Sequence, residues 1–210
     1  NRNLIFLSLF LTATSSKNLN CTKYRIGSWW HDSVYECEDK STEILFKNDT
    51  KITGRSGVPH LSLKTDADVG SLAISNTKVN YFPTNIESVF PNLIAIIITD
   101  CNLLEVHQSD LKPHPKLEKL LLNRNQVAFL EQDLFKFNPN MIRLSFADNK
   151  IVHVESSVFL DLKSLKFLDF RNNPCHSGDA DTRLNVLNLA LSIQMNCFDT
   201  QMYNKLRESK

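Results

Sequence analysis

The histidines, serines and acidic residues are the side chains in this sequence whose types could support hydrolysis or bind a metal ion. The six histidines are spread along the chain, and none forms the His-Glu-x-x-His pair that a zinc peptidase carries on a helix. Ser28, His31 and Asp32 lie close together, but an adjacent histidine and aspartate cannot easily orient each other as a catalytic triad requires. Asp148 and Asp169 lack a partner that suggests paired-carboxylate catalysis. We therefore expect no enzymatic activity, no cofactor and no metal site.

The five cysteines could form disulfides or bind zinc. The closely spaced cysteine and histidine pairs of a structural zinc site are absent, which argues against zinc. Two cysteines precede a repetitive region, two follow it and one lies inside it. In an oxidising compartment these positions favour the pairs Cys21–Cys37 and Cys175–Cys197, with Cys101 left over.

The amino-terminal residues have the order of a secretory signal peptide. Arg2 precedes an apolar run over residues 4–11, and small and polar residues follow it over 12–16. This order predicts a signal peptide over residues 1–16, cleaved near Ser15. The alternative is a buried strand or helix of the mature protein. No later segment is long and apolar enough for a membrane anchor, so we expect a secreted, extracellular protein.

Composition restricts the partners. Apolar residues make up 42% of the chain, which is ample for a packed core. The chain carries 24 basic and 23 acidic residues, a formal net charge of +1, so it has no general attraction for nucleic acid or acidic membranes.

An apolar pattern repeats every 24 residues. Leu117, Leu120, Leu122, Asn125 and Val127 recur, one period later, as Met141, Leu144, Phe146, Asn149 and Ile151. The same register extends forward to Leu165, Leu168, Phe170 and Asn173, and backward to Leu93, Ile96, Ile98, Cys101 and Leu103 and to Val69, Leu72, Ile74, Thr77 and Val79.

This pattern resembles the leucine-rich repeat, LxxLxLxxN/CxL, over residues 69–174. The resemblance implies an α/β-type solenoid, a curved array with a parallel concave sheet. Each LxL segment is then a short strand whose alternate residues face one continuous core. The asparagine amide pairs backbone groups that the chain leaves inside each corner, because it has both donors and an acceptor. We expect Thr77 and Cys101 to take this place in the first two repeats, which makes Cys101 a buried structural thiol.

The two ends of such an array need covers, since an open solenoid exposes its core. We expect disulfide-stapled caps at both ends: an N-terminal cap over 17–68 and a C-terminal cap over 175–197, followed by a polar tail over 198–210. The first would contain a hairpin between Cys21 and Cys37 and strands at 43–47 and 60–64. The second would contain a helix over 181–194. Asn48 lies in an Asn-x-Thr sequence and is a predicted glycosylation site, whereas Asn20 is disfavoured because its middle residue is a predicted disulfide cysteine.

The outward strand positions form the candidate binding face. Ile97, Leu121 and Phe167 are apolar where solvent favours polar residues, and basic residues flank them, as in many protein interfaces. The alternative is that scattered exposed apolar residues are normal. The predicted site residues are Ile97, Thr99, Lys119, Leu121, Asn123, Arg143, Ser145, Phe167, Asp169 and Arg171.

The chain is similar to extracellular leucine-rich repeat proteins of the Toll-receptor type and to short secreted insect leucine-rich repeat proteins. This resemblance implies a non-enzymatic recognition module that binds a partner, expected to be a protein ligand or receptor, in innate immunity, adhesion or matrix contact. The alternative is an intracellular leucine-rich repeat scaffold, which free thiols at the four outer cysteines would favour.

Overall fold

The structure is a computed structural model that describes residues 17–29 and 32–198. The predicted signal peptide, His31 and residues 199–210 of the predicted tail lie outside the described residues. The strands, in chain order, are β1 Lys17–Trp29, β2 Asp32–Asp39, β3 Ile52–Gly57, β4 Ser71–Ser75, β5 Ala95–Thr99, β6 Lys119–Leu121, β7 Phe129–Leu130, β8 Arg143–Ser145, β9 His153–Val154, β10 Phe167–Asp169 and β11 Asp179–Ala180. Two α-helices, α1 Gln108–Leu111 and α2 Arg183–Cys197, and two 3-10 turns, Asp66–Asp68 and Ile86–Ser88, complete the described elements.

Nine of these strands form one sheet in the order β11-β10-β8-β6-β5-β4-β2-β1-β3. From β2 to β10 every neighbouring pair is parallel. A second, two-stranded parallel sheet of β7 and β9 is separate from it.

The strand register follows the 24-residue period. Leu72 pairs with Ile96, Ile96 with Leu120, Leu120 with Leu144, and Leu144 with Leu168. These five side chains are fully buried and belong to one apolar cluster that runs through all the repeats. The fold is therefore the leucine-rich repeat solenoid that the pattern predicts.

A ladder of buried polar side chains follows the same period. The Asn125 amide nitrogen donates to the Ile98 carbonyl oxygen at 2.7 Å, and its oxygen accepts from the amides of Cys101 and Leu103. One repeat later Asn149 donates to the Leu122 carbonyl oxygen and accepts from the Val127 amide, and two repeats later Asn173 donates to the Phe146 carbonyl oxygen and accepts from the Ile151 amide.

The first two repeats fill the ladder position with other residues. The Cys101 thiol donates to the Thr99 carbonyl oxygen at 3.1 Å, and the Thr77 hydroxyl donates to the Thr42 carbonyl oxygen at 3.1 Å. Cys101 is a fully buried free thiol, and burial raises its pKa above the usual value. Both residues therefore have the structural role predicted for them.

The N-terminal cap contains the predicted hairpin. β1 and β2 are antiparallel, and a disulfide joins Cys21 to Cys37. The Asp39 carboxylate at the end of β2 is fully buried and accepts from three backbone amides: Asn20, Ser41 and Thr42. Because β2 also pairs in parallel with β4, the cap hairpin continues the sheet of the repeats.

Two strand predictions in this cap are wrong. Residues 43–47 contribute only a single bridge, from Ile44 to Val79, and residues 60–64 form a turn. The third cap strand is instead β3, which pairs in parallel with the first part of β1. Gly57 ends β3 with a φ of 99°, where a Cβ atom would lie 2.2 Å from the Cys21 carbonyl oxygen, so glycine is required there.

The C-terminal cap consists of β11 and α2. The predicted helix exists, although it begins at Arg183 rather than 181 and ends at Cys197 rather than 194. The Thr182 hydroxyl oxygen caps it by accepting from the Asn185 amide at 3.3 Å. A disulfide joins Cys175 to Cys197 at the end of the helix. Arg183 donates to the Leu162 carbonyl oxygen at 2.8 Å, which attaches the start of the helix to the last repeat.

Candidate binding face

The candidate binding face is the side of the main sheet that points away from the apolar core; we call it the concave face. Strand pairing arranges its side chains in rows that cross the strands. The first row is Glu36, Ser71, Ala95, Lys119, Arg143 and Phe167, and the second is Glu38, Ala73, Ile97, Leu121, Ser145 and Asp169. Thr99, Asn123 and Arg171 follow the second row at the ends of their strands. All ten predicted site residues therefore share one face.

Their exposure differs from the sequence-based expectation. Ile97 and Lys119 are each 8% exposed, and Ser145 and Asp169 are each 3% exposed. Parallel strands lie only about 4.8 Å apart, so side chains of neighbouring repeats cover one another across the face. Lys119 is consequently part of the floor of this face, not of an exposed basic rim. The residues that remain accessible are Thr99, Leu121, Asn123, Arg143 and Phe167, which are half-buried, and Arg171, which is exposed.

The N-terminal end of the first row is an ion pair that the sequence analysis missed. Glu36 is fully buried, and its carboxylate accepts from the Arg25 guanidinium at 2.6 Å and from the Ser71 hydroxyl at 2.8 Å. Glu36 precedes the repeats and lies outside their 24-residue sequence register, although it pairs with Ser71 of the first repeat strand. The only indication in the sequence was that Glu36 neighbours Cys37 on a predicted hairpin strand, which places their two side chains on opposite faces of that strand. This end of the face is therefore neutralised.

The C-terminal part of the first row carries positive charge and an aromatic ring. The Arg143 guanidinium carbon lies 3.6 Å from the centre of the Phe167 ring, a cation–π distance. Burial lowers the pKa of the Arg143 guanidinium below its usual value. Lys119 pairs with Arg143 on the adjacent strand, so two cationic side chains are neighbours here.

The second row ends in a bidentate ion pair. The Arg171 guanidinium donates to both carboxylate oxygens of Asp169, at 2.9 and 2.7 Å. Burial by itself would raise the pKa of Asp169, but the hydrogen bonds and charge of Arg171 outweigh it, and the pKa lies below its usual range. Asp169 is therefore held as a carboxylate and fixes the direction of Arg171.

Within residues 17–29 and 32–198, no group of three histidine, cysteine or acidic side chains could hold a metal ion. None of the helices in the described part of the chain is long and apolar enough to cross a bilayer.

Asn48, the predicted glycosylation site, lies on an exposed turn closed by the hydrogen bond from the Asp49 amide to the Phe46 carbonyl oxygen. Asn20 lies within β1, and its side-chain amide nitrogen donates to the Ser41 hydroxyl oxygen.

Comparison with known proteins gives one sequence match. Residues 115–174 match the sequence model of the leucine rich repeat. No curated protein matches the chain.

Among solved structures, three similar ones are leucine-rich repeat or Toll structures. The Toll–Spatzle complex from Drosophila is 15% identical with a TM-score of 0.48, and the match covers 59% of this chain and 17% of that chain. The leucine-rich repeat domain of APL1 is 16% identical with a TM-score of 0.45, covering 69% and 42%. The LRIM1/APL1C complex is 15% identical with a TM-score of 0.44, covering 71% and 31%. The matched region is thus less than half of each of these chains.

Proposed function

We propose that this leucine-rich repeat protein is an extracellular, non-enzymatic recognition module whose concave face binds a protein partner. The proposal rests above all on one observation, the combination of half-buried Leu121 and Phe167 with the basic side chain of Arg143 on a single sheet face. An apolar centre with aromatic and arginine side chains is the composition enriched in protein interfaces.

The surroundings of this centre favour a protein over a small molecule. The accessible residues come from several repeats, so together they form a broad surface. Asn123 and Thr99 can donate and accept hydrogen bonds, and Arg171 is held in place by Asp169. A partner with an apolar contact opposite Leu121 and an acidic group opposite Arg143 would fit this distribution.

The two disulfides support an extracellular location. Disulfides persist in oxidising compartments and are rare in the cytosol, so Cys21–Cys37 and Cys175–Cys197 argue against the alternative of an intracellular scaffold. Free thiols at these four cysteines in the native protein would favour that alternative. Innate-immune recognition and adhesion are the roles we propose for such a module.

The experiment that tests the binding face is a capture from the native extracellular fluid with three forms of the protein: wild type, Leu121→Glu and Leu104→Glu. Leu104 is the control because it is a leucine whose side chain is even more accessible than that of Leu121, at 43% exposed, and it lies outside the concave face. Partners identified by mass spectrometry should bind the wild type and Leu104→Glu, and should be lost with Leu121→Glu. With a purified partner, Leu121→Ala should cost about 1–3 kcal/mol of binding free energy if Leu121 is a hot spot.

A folding control separates lost binding from lost structure. Leu120 points into the core and is fully buried, so Leu120→Ala should cost about 2–5 kcal/mol of unfolding free energy. Leu121→Ala should cost clearly less. Capture that is equal in the wild type and Leu121→Glu, or a thermal midpoint that falls as far in Leu121→Ala as in Leu120→Ala, would contradict the proposal.

A further inference from the structure

Lys119 is a cation without a counter-ion in the floor of the concave face. The residue is only 8% exposed, yet in the part of the chain that the structure describes its ammonium makes no hydrogen bond and no ion pair. Its neighbours in the first row are Ala95, which is apolar, and Arg143, which is also cationic. Removing a charged group from water is unfavourable unless an opposite charge compensates it. The described residues therefore leave this cation uncompensated.

The acidic side chains of the two rows are engaged by other cations. Their ion pairs, in the order of the strands, are Arg25–Glu36, Lys40–Glu38 and Arg171–Asp169. Glu118 directly precedes Lys119 in the chain, but the structure shows no ion pair between these two described side chains. The compensating anion for Lys119 must therefore come from outside the described residues.

Arg143 is a second group that an anion beside Lys119 would meet. The two residues pair on the adjacent strands β6 and β8, which lie about 4.8 Å apart. The Arg143 guanidinium stacks on the Phe167 ring, which uses the flat face of the group, whereas its N–H donors lie in the plane. Burial lowers the pKa of Arg143, which means that its charged form is poorly solvated and would gain from a nearby anion.

A carboxylate is the anion that suits this pair of cations. It is planar and has two oxygens, so one can accept from the Lys119 ammonium and the other from the Arg143 guanidinium. The pair is bordered by apolar side chains, Leu121 two residues further along β6 and Phe167 on the next strand. A phosphate or sulfate group has more oxygens, and these would face apolar surface without a donor. The surroundings thus suit an acidic side chain beside an apolar one, as in a peptide.

We propose that Lys119 and Arg143 form a carboxylate subsite, which selects a protein partner by an aspartate or glutamate side chain that has an apolar residue beside it. The subsite rests on the proposed function, because it lies within the concave face. It adds a reason for selectivity. A partner that brings an apolar or basic residue to this place leaves the ammonium buried and uncompensated, so it is disfavoured by more than the loss of one contact.

Random peptides displayed on phage test the subsite with a defined probe. Selections run in parallel on the oxidised full chain and on Lys119→Met, Lys136→Met and Leu121→Glu. Lysine to methionine removes the charge and keeps an unbranched side chain. Lys136 is the matched control, because it is an exposed lysine in the turn after β7, outside the concave face. Peptides selected by the wild type and by Lys136→Met should be enriched in an acidic residue next to an apolar one, and Lys119→Met should lose the acidic enrichment.

A synthetic peptide from this selection measures the contact by calorimetry. Replacing its acidic residue by the corresponding amide should weaken binding to the wild type at least about tenfold, because the amide leaves the Lys119 ammonium buried without a counter-ion. The same replacement should have a clearly smaller effect on binding to Lys119→Met. An amide that binds the wild type as well as the acid does would overturn the subsite.

Thermal unfolding gives a readout that needs no peptide. Lys119→Met should have a thermal midpoint equal to or above that of the wild type, since an apolar side chain replaces an uncompensated cation beside Arg143. A clearly lower midpoint would mean that the ammonium stabilises the free protein, and it would overturn the proposal.

Failure of the subsite is distinguishable from failure of the proposed function. Peptides that are lost with Leu121→Glu but keep their acidic residues with Lys119→Met contradict the subsite alone. A wild type that selects no peptide, or the same peptides as Leu121→Glu, contradicts the binding face and the subsite with it. Retention on immobilised heparin that Lys119→Met abolishes would assign the cations to a sulfated polysaccharide and overturn the proposal.

Discussion

Buried amides link the repeats at the scale of single residues. Asn125, Asn149 and Asn173 each bond to the backbone of their own repeat and of the preceding one. Asn138 has a similar role at another corner, where its fully buried side-chain amide nitrogen donates to the carbonyl oxygens of Leu111 and His114. Sequence reasoning missed Asn138, because a single asparagine beside Pro139 reads as an ordinary turn residue.

We expect Asn149→Ala to lower the unfolding free energy by about 3 kcal/mol, since it leaves several buried backbone groups without a hydrogen bond. The affected groups are the Leu122 and Phe146 carbonyl oxygens and the Val127 amide. Urea unfolding would measure the change. Asn123→Ala is the matched control and should cost less than about 1 kcal/mol, because that side chain is half-exposed on the concave face. Equal losses in the two variants would contradict the role given to the ladder.

The caps differ in how they join the array at the scale of elements. β2 extends the parallel sheet directly into the N-terminal hairpin, so that cap shares backbone hydrogen bonds with the first repeat. The C-terminal cap is attached by the short strand β11, which pairs antiparallel with β10, and by the packing of α2. The Cys175–Cys197 disulfide therefore constrains a cap with few backbone bonds to the sheet.

Removing this disulfide with Cys175→Ser and Cys197→Ser should destabilise the C-terminal cap by about 3 kcal/mol in the chain-entropy model. Because each repeat contacts only its neighbours, the loss should be local. Hydrogen exchange should accelerate in α2 and β11 and remain nearly unchanged in β4 and β5. The matched pair Cys21→Ser and Cys37→Ser should instead accelerate exchange in β1 and β3. A uniform acceleration through the whole sheet in either variant would contradict local unfolding.

The whole molecule combines two disulfide-linked caps with one continuous core, a combination suited to the extracellular location we propose. The net charge of +1 provides no general attraction for nucleic acid, so charge by itself does not favour that class of partner. The specific interactions would then depend on the concave face.

If the protein is secreted as we propose, the mature chain should begin near Ser16. Amino-terminal sequencing of the protein recovered from the extracellular medium would measure this, and a secreted product that retains Leu4–Leu11 would contradict it. This expectation depends on the order of charged, apolar and small residues alone, because residues 1–16 lie outside the described structure.

The sequence by itself determined the repeat register, because each inward position must remain apolar to fill one shared core. Through its resemblance to the leucine-rich repeat, this register implied the parallel strands and the polar ladder, and a separate apolar segment predicted the cap helix. The sequence also predicted both disulfides, since each pair lies beyond one end of the array.

Only the tertiary structure decided which outward residues are accessible. Periodicity separates inward from outward positions, but the exposure of Ile97 or Lys119 depends on side chains 24 residues away on the neighbouring strands. The strand at Ile52–Gly57 depends on its pairing with β1, a contact that local sequence does not encode. The exposure of Leu184 and Met195 was decided in the same way, because a helix with apolar residues on two opposite sides could have been buried on both, as α2 is not. Its position at the end of the solenoid leaves one side in contact with solvent.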